Sequence, residues 1–129
     1  ELVVSDDKVV KNVREITNNK GVDLVLDHVG RKTFNNSLKM LSRGGRLAFC
    51  GVTTGPISEV DLRLIFGKQI TITGSWMGDL QDFYEVVKLL EDKECFPHID
   101  QEFLLTEVGK AQNTLEAGNH IGKIILKIQ

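Results

Sequence analysis

The sequence lacks several things whose absence narrows its function. It has no basic excess: 16 lysines and arginines against 18 acidic residues leave a formal charge of −2. A protein that neutralises nucleic-acid phosphates needs the opposite balance, and so does a polybasic membrane anchor. No apolar run approaches the roughly 20 residues that a membrane-crossing helix requires. The opening residues, ELVVSDDK, lack the basic start and apolar stretch of a secretory signal. With Glu1 in place of an initiating Met, a shortened or processed chain is expected. Cysteine is scarce. Cys50 and Cys95 stand apart, with no CxxC spacing and no partner histidine. That excludes a recognisable structural zinc motif and suits a reducing, cytoplasmic setting.

What remains is ordinary globular material. The 129 residues are 41% hydrophobic and 26% charged. A chain of this length buries about two-thirds of its unfolded surface on folding, enough for a real core. There is no internal repeat and no low-complexity tract.

Two periodicities alternate along the chain. Leu2 to Val4 is a short apolar run. Val9, Val13 and Ile16 share one helical face, and Gly21 is the expected helix stop. Val22 to Leu26 (VDLVL) reads as a strand. Phe34, Leu38 and Leu41 mark a helix expected to end at Gly44-Gly45. Arg46 to Cys50 (RLAFC) is a second strand. Ser58 with Asp61 three residues on resembles a capping box for a short helix toward Phe66. Ile70 to Thr73 is a third, β-branched strand. Leu80, Phe83, Val87 and Leu90 give the clearest amphipathic helix, with its stripe expected in the core. The following charges, Glu91 to Glu94, read as a solvated helix end. Beyond Pro97, Phe103 to Leu105 is a short apolar patch. Thr106 to Ala117 is a helix with Thr106 as N-cap and Gly118 as C-cap, and Ile121 to Ile128 a closing strand.

This alternation predicts an α/β fold: a partial parallel sheet with flanking helices and a C-terminal strand-helix-strand segment. VDLVL and RLAFC are nearly continuous apolar runs, as expected where helices cover both faces. Ligands of such sheets bind beyond the carboxyl ends of the strands. Three glycine-bearing segments qualify: Asp27 to Gly30, Gly51 to Gly55, and Gly74 to Trp76. Glycine lets a ligand approach the backbone closely, although it also serves simply to end strands.

The order GVDLVLDHVG, SLKMLSRGGRLAFCGVTTG, QITITGS and GKIILKI resembles the C-terminal half of the zinc-type medium-chain dehydrogenase/reductase family, the alcohol dehydrogenases and quinone oxidoreductases. The resemblance runs over essentially the whole chain. It implies that residues 1–96 are the last part of a Rossmann nucleotide-binding domain and that residues 97–129 return to a catalytic domain. It implies NAD or NADP as cofactor and hydride transfer to an alcohol/aldehyde or quinone/enone pair. By the same resemblance, His28 lines the cofactor and Val29 and Gly30 flank the adenosine and ribose. Arg31 borders the adenine. Cys50, Gly51 and Val52 meet the nicotinamide ribose, and Thr71, Thr73, Gly74 and Ser75 the nicotinamide amide. Lys123 lies near the pyrophosphate. The strand at 70–73 is implied to pair with its twin in a homodimer, and its uncharged β-branched edge suits that role.

The departures are equally informative. The phosphate turn GxGxxG is absent, and so is the strand whose end chooses between NAD and NADP. The family's zinc ligands lie upstream of everything present, so the resemblance leaves zinc possible in the full-length parent, with no ligands here. No catalytic residue is assigned, and the isolated chain is expected to be inactive.

Residues with a sharper reading each have a plainer one. His28 at a strand end could shuttle protons, but cofactor lining is the expected role. His98 and His120 read as solvated. Asp27 reads as a helix cap in preference to a hydrogen-bonding residue at the sheet edge. Cys50 reads as a small core residue, Cys95 as exposed, and Trp76 as a core or interface aromatic. Two other functions stay open: a Rossmann-like methyltransferase, suggested by DLVLDHVG and LSRGGRLAF, and a dimeric scaffold without chemistry.

Overall fold

The computed structural model describes residues 1–92 and 95–128. It divides into two compact units, Glu1–Met77 and Gly78–Gln129.

The first unit begins with α1 (Val9–Ile16), followed by β1 (Val22–Asp27), α2 (Phe34–Met40), β2 (Leu41–Phe49), α3 (Leu62–Lys68) and β3 (Thr71–Gly74). The strands form one sheet in the order β1-β2-β3, parallel throughout. Parallel neighbours need a crossover, and α2 and α3 supply it. The α/β reading with a partial parallel sheet therefore holds.

Leu38, Leu41 and Leu47 are fully buried and Ile70 nearly so. Val22, Val25, Phe34, Val60, Leu64 and Ile65 pack around them. Each fully buried leucine contributes about 1.5–3 kcal/mol relative to exposure, so this cluster is the unit's main anchor. Phe34 of α2 meets Phe49 of β2 edge to face, with ring centroids 5.9 Å apart. The C-terminal carbonyls of α2, unpaired within the helix, are held by two cations. Lys68 Nζ donates to the carbonyls of Leu38 (3.0 Å), Lys39 (2.9 Å) and Leu41 (2.8 Å). Arg14 donates to that of Lys39 at 2.8 Å. Burial, and next the charge of Arg14, lowers the Lys68 pKa below its ordinary value.

Several local expectations are corrected. The second helix stops at Met40 instead of Gly44-Gly45, because Leu41 turns extended (ψ 142°) to bury its side chain at the start of β2. The two glycines belong to a register shift: Val22 pairs with Leu41, but Leu24 already pairs with Arg46. α1 ends at Ile16, well before Gly21. The N-cap of α3 is Asp61, whose carboxylate accepts from the Arg63 amide, not Ser58. Ile70 precedes β3 and is buried in the core. The expectation of cover on both faces fails at β1, where Leu24 and Leu26 are 61% and 66% exposed. Val25 and Asp27, on the opposite face, are half-buried and buried.

The second unit holds α4 (Leu80–Glu91), β4 (Ile99–Leu104), a 3-10 turn (Leu105–Glu107), α5 (Val108–Ala117) and β5 (Lys123–Lys127). β4 and β5 pair in parallel, which gives the strand-helix-strand segment expected. A reciprocal capping box opens α4: the Asp79 side chain accepts from the amides of Gln81 and Asp82, and Asp82 accepts from the Asp79 amide. Gly118 ends α5 in the left-handed region. Thr106 is no helix cap, since it lies inside the 3-10 turn. The α4 stripe is not core: Leu80, Phe83 and Leu90 are exposed and Val87 only half-buried. Of the charge run at its end, Glu91 and Asp92 are exposed, and Lys93 and Glu94 lie outside the described residues.

Candidate functional site

Parallel pairing brings three strand ends to one edge. Asp27 pairs with Phe49, and Phe49 with Gly74. The turns that follow these strands therefore start side by side. They carry His28, Val29, Gly30 and Arg31; then Cys50, Gly51 and Val52; then Ser75 beyond Gly74. Thr73 is the last residue before that edge on β3. Thr71 starts β3, opposite Arg46, about 10 Å of strand away from the edge. Lys123 lies in the second unit, exposed at the start of β5, with its amide donating to the His98 carbonyl.

The first turn is organised by Asp27, which is only 4% exposed. Its Oδ1 accepts from the amides of Val29 (2.9 Å) and Gly30 (3.0 Å) and from the Thr33 hydroxyl (2.9 Å). Its Oδ2 accepts from the hydroxyls of Thr33 and Ser37, both at 2.8 Å. Asp27 is thus a hydrogen-bonding residue at the sheet edge. The expected cap role is corrected, since Thr33 occupies the N-cap position of α2. Burial alone would raise its pKa, but the donors of Gly30, Ser37, Val29 and Thr33 outweigh that and hold it below the ordinary carboxylate value.

The second turn packs directly on the first. A Cβ at Gly51 would stand 2.5 Å from the His28 carbonyl oxygen, so no side chain fits there. Gly30 has φ +84°, and a Cβ on it would stand 2.8 Å from the Val52 Cα. Backbone bonds join the pair: Cys50 N to Asp27 O (3.1 Å), Thr54 N to Val29 O (2.9 Å) and Arg31 N to Gly55 O (3.2 Å). The third turn is tied by Ser75 N to Phe49 O at 2.9 Å. A cleft of about 590 Å³ borders the first turn at Asp27, His28, Val29 and Lys32. Another of about 580 Å³ lies along Arg31, Asn35 and residues 55–59.

Three side chains differ from expectation. Cys50 is exposed, because β2 ends at Phe49 and only the Cys50 amide is tied down. Trp76 is 88% exposed, which removes the core half of its expected core-or-interface role. His120 is half-buried with its Nδ1 enclosed and unpartnered among the described residues, whereas His98 and Cys95 are exposed as expected. Among the described residues no three His, Cys, Asp or Glu side chains come together in a way that could hold a metal ion. Sequence reasoning missed the Asp27 network. Its signal was available: an Asp three residues before a glycine, with hydroxyls at Thr33 and Ser37 on the next helix start.

The lowered pKa of Asp27 carries a pH sign. Its stabilising contribution is complete above the ordinary carboxylate pKa of about 3.9 and is lost as pH falls through the depressed folded value. Asp27→Asn is expected to cost about 1–3 kcal/mol at pH 7 in urea unfolding, with the gap to wild type closing as pH drops below about 4. A gap that stays constant with pH would show that the charge of Asp27 does not hold the turn.

Comparison with known proteins fits this geometry. Residues 1–92 match the family model of the zinc-binding dehydrogenases. A crotonyl-CoA reductase of Streptomyces collinus is 30% identical over 114 residues, which span 88% of this chain and 26% of that protein. An NAD-dependent alcohol dehydrogenase of Sulfolobus acidocaldarius is 34% identical over 121 residues, 92% of this chain and 35% of that one. The solved structure of an NAD-dependent alcohol dehydrogenase superposes with a TM-score of 0.83 at 27% identity, covering 97% of this chain and 36% of the other. The chain thus spans about a quarter to a third of the length of these relatives. With the family match running from β1 through β3 and the three turns at their ends, the chain belongs to the zinc-binding dehydrogenase family.

Proposed function

We propose that this chain is the C-terminal part of an NAD(P)-dependent oxidoreductase and supplies the nicotinamide side of its cofactor cleft. The observation that carries this reading is the alignment of three turns at one sheet edge, set by the Asp27, Phe49 and Gly74 register. When bound, the nicotinamide supplies hydride transfer to or from an alcohol/aldehyde or a quinone/enone; the chain's part is to bind and orient it.

In this reading His28, Val29, Gly30 and Arg31 receive the adenosine end. Cys50, Gly51 and Val52 border the nicotinamide ribose. Thr73, Gly74 and Ser75 offer backbone to the nicotinamide amide, with Thr71 further down the same strand and Lys123 near the pyrophosphate. The two close approaches at Gly30 and Gly51 support the fit, since they keep side chains from the surface between the turns. Among the described residues no cluster of His, Cys, Asp or Glu side chains could hold a zinc ion, and no step is assigned to one. The division into a nucleotide-binding part, 1–96, and a return to the catalytic domain, 97–129, is part of the same proposal. So is a cytoplasmic setting without nucleic-acid or membrane partners. It is supported by the net charge of −2 and by the absence, among the described residues, of a helix long and apolar enough to cross a membrane. The family match removes the grounds for a methyltransferase.

The proposal includes a homodimer. Among the described residues β3 pairs only with β2, and Thr71 to Gly74 are exposed along it. β3 begins at Thr71, so the edge proposed to pair is Thr71–Gly74 where residues 70–73 were expected. Sedimentation at micromolar concentration should report a dimer; a clean monomer would remove this part of the proposal. For the cofactor, reduced NADH or NADPH should quench Trp76 by energy transfer in a saturable way. The chain alone should turn over no alcohol or quinone. Lack of any saturable signal would sink the ledge reading, and measured turnover would show that the chain is more than a cofactor-binding part.

A further inference from the structure

The side chain of Asp27 reaches only residues 29–37, so it cannot by itself hold the second turn against the first. One side chain does so from the other direction. The Thr54 hydroxyl donates to the Val29 carbonyl at 2.8 Å and accepts from the Lys32 amide at 3.0 Å. Its own amide donates to the same Val29 carbonyl at 2.9 Å. Thr54 thus grips the first turn at both ends, across 22 and 25 residues of sequence. A hydroxyl is suited to this because it donates and accepts at once. Thr53 adds a single, longer bond from its hydroxyl to the His28 carbonyl, 3.2 Å.

We propose that Thr54 is a positioning residue that clips the first two turns of the ledge into one unit, so that a nicotinamide dinucleotide meets a surface already formed. The functional part of this inference rests on the cofactor reading above. The physical gain is preorganisation: ordering two separate turns at the moment of binding would cost affinity, and the clip removes that cost.

The test compares Thr54→Val, which keeps the shape and removes the hydroxyl, with Thr54→Ser, which keeps the hydroxyl. Thr114→Val, in α5 of the second unit, serves as control. Amide hydrogen exchange reads the clip directly, without cofactor. In Thr54→Val, exchange should accelerate at Arg31 and Thr54 as well as at Lys32, with Thr54→Ser restoring all three and Thr114→Val changing none. Acceleration at Lys32 alone would overturn the clip, since only its lost bond partner would then be felt. NADH titration reads the consequence. Thr54→Val should bind roughly threefold to tenfold more weakly, the range for losing one hydrogen-bonding group, and Thr54→Ser close to wild type. Equal affinity of Thr54→Val and wild type would overturn the positioning role. If wild type itself bound no dinucleotide, the cofactor reading would fail and, with it, the positioning role; the exchange result would still decide the clip.

Discussion

A carboxylate that accepts hydrogen bonds from two amides and two hydroxyls decides where the chain goes after β1. Asp27 is nearly enclosed, so its charge is tolerable only because Val29, Gly30, Thr33 and Ser37 all point donors at it. Meeting those donors folds residues 28–30 into a tight turn and brings the start of α2 against the end of β1. The Asp27 carbonyl then takes the Cys50 amide, which starts the second turn beside the first. From there the close approaches at Gly51 and Gly30 leave little freedom in how the two turns meet. The candidate site is therefore a consequence of one buried charge and the register of three strands.

The same unit shows where packing ends. Its apolar cluster of Leu38, Leu41, Leu47 and Ile70 lies on the face of the sheet that α2 and α3 cover. The other face of β1 presents Leu24 and Leu26 to water. In the second unit, the apolar residues of α4 other than Val87 are likewise exposed. These surfaces agree with a chain that corresponds to about a quarter to a third of its relatives' length. They also explain why the hydrophobic pattern led to an expectation of core at positions that are not buried within this chain.

The fold class was legible because VDLVL, RLAFC and the stretch around Ile72 alternate with helical stripes at the right spacing. The strand ends were legible for the same reason, and strand ends are where parallel sheets bind ligands. Boundaries were less so. Gly44-Gly45 looks like a helix stop in sequence, but the demand to bury Leu41 ends the helix four residues sooner and places both glycines in a shifted register. Asp61 displaced Ser58 as cap because its carboxylate sits one residue before the first helical turn and reaches the Arg63 amide. Side-chain burial was hardest to read. Whether Cys50 or Trp76 is covered depends on contacts between residues far apart in sequence, which local pattern does not contain. The Thr54 clip was illegible for a related reason, since its partners lie 22 and 25 residues away.

The proposed function rests on the three turns at one sheet edge forming a nicotinamide-dinucleotide surface. The most direct test is to map amide chemical-shift changes along the chain while NAD or NADP is added. Shifts are expected at residues 28–31, 50–55 and 74–75, with the amides of α5 unmoved. Shifts confined to other regions, or none at saturating cofactor, would contradict it.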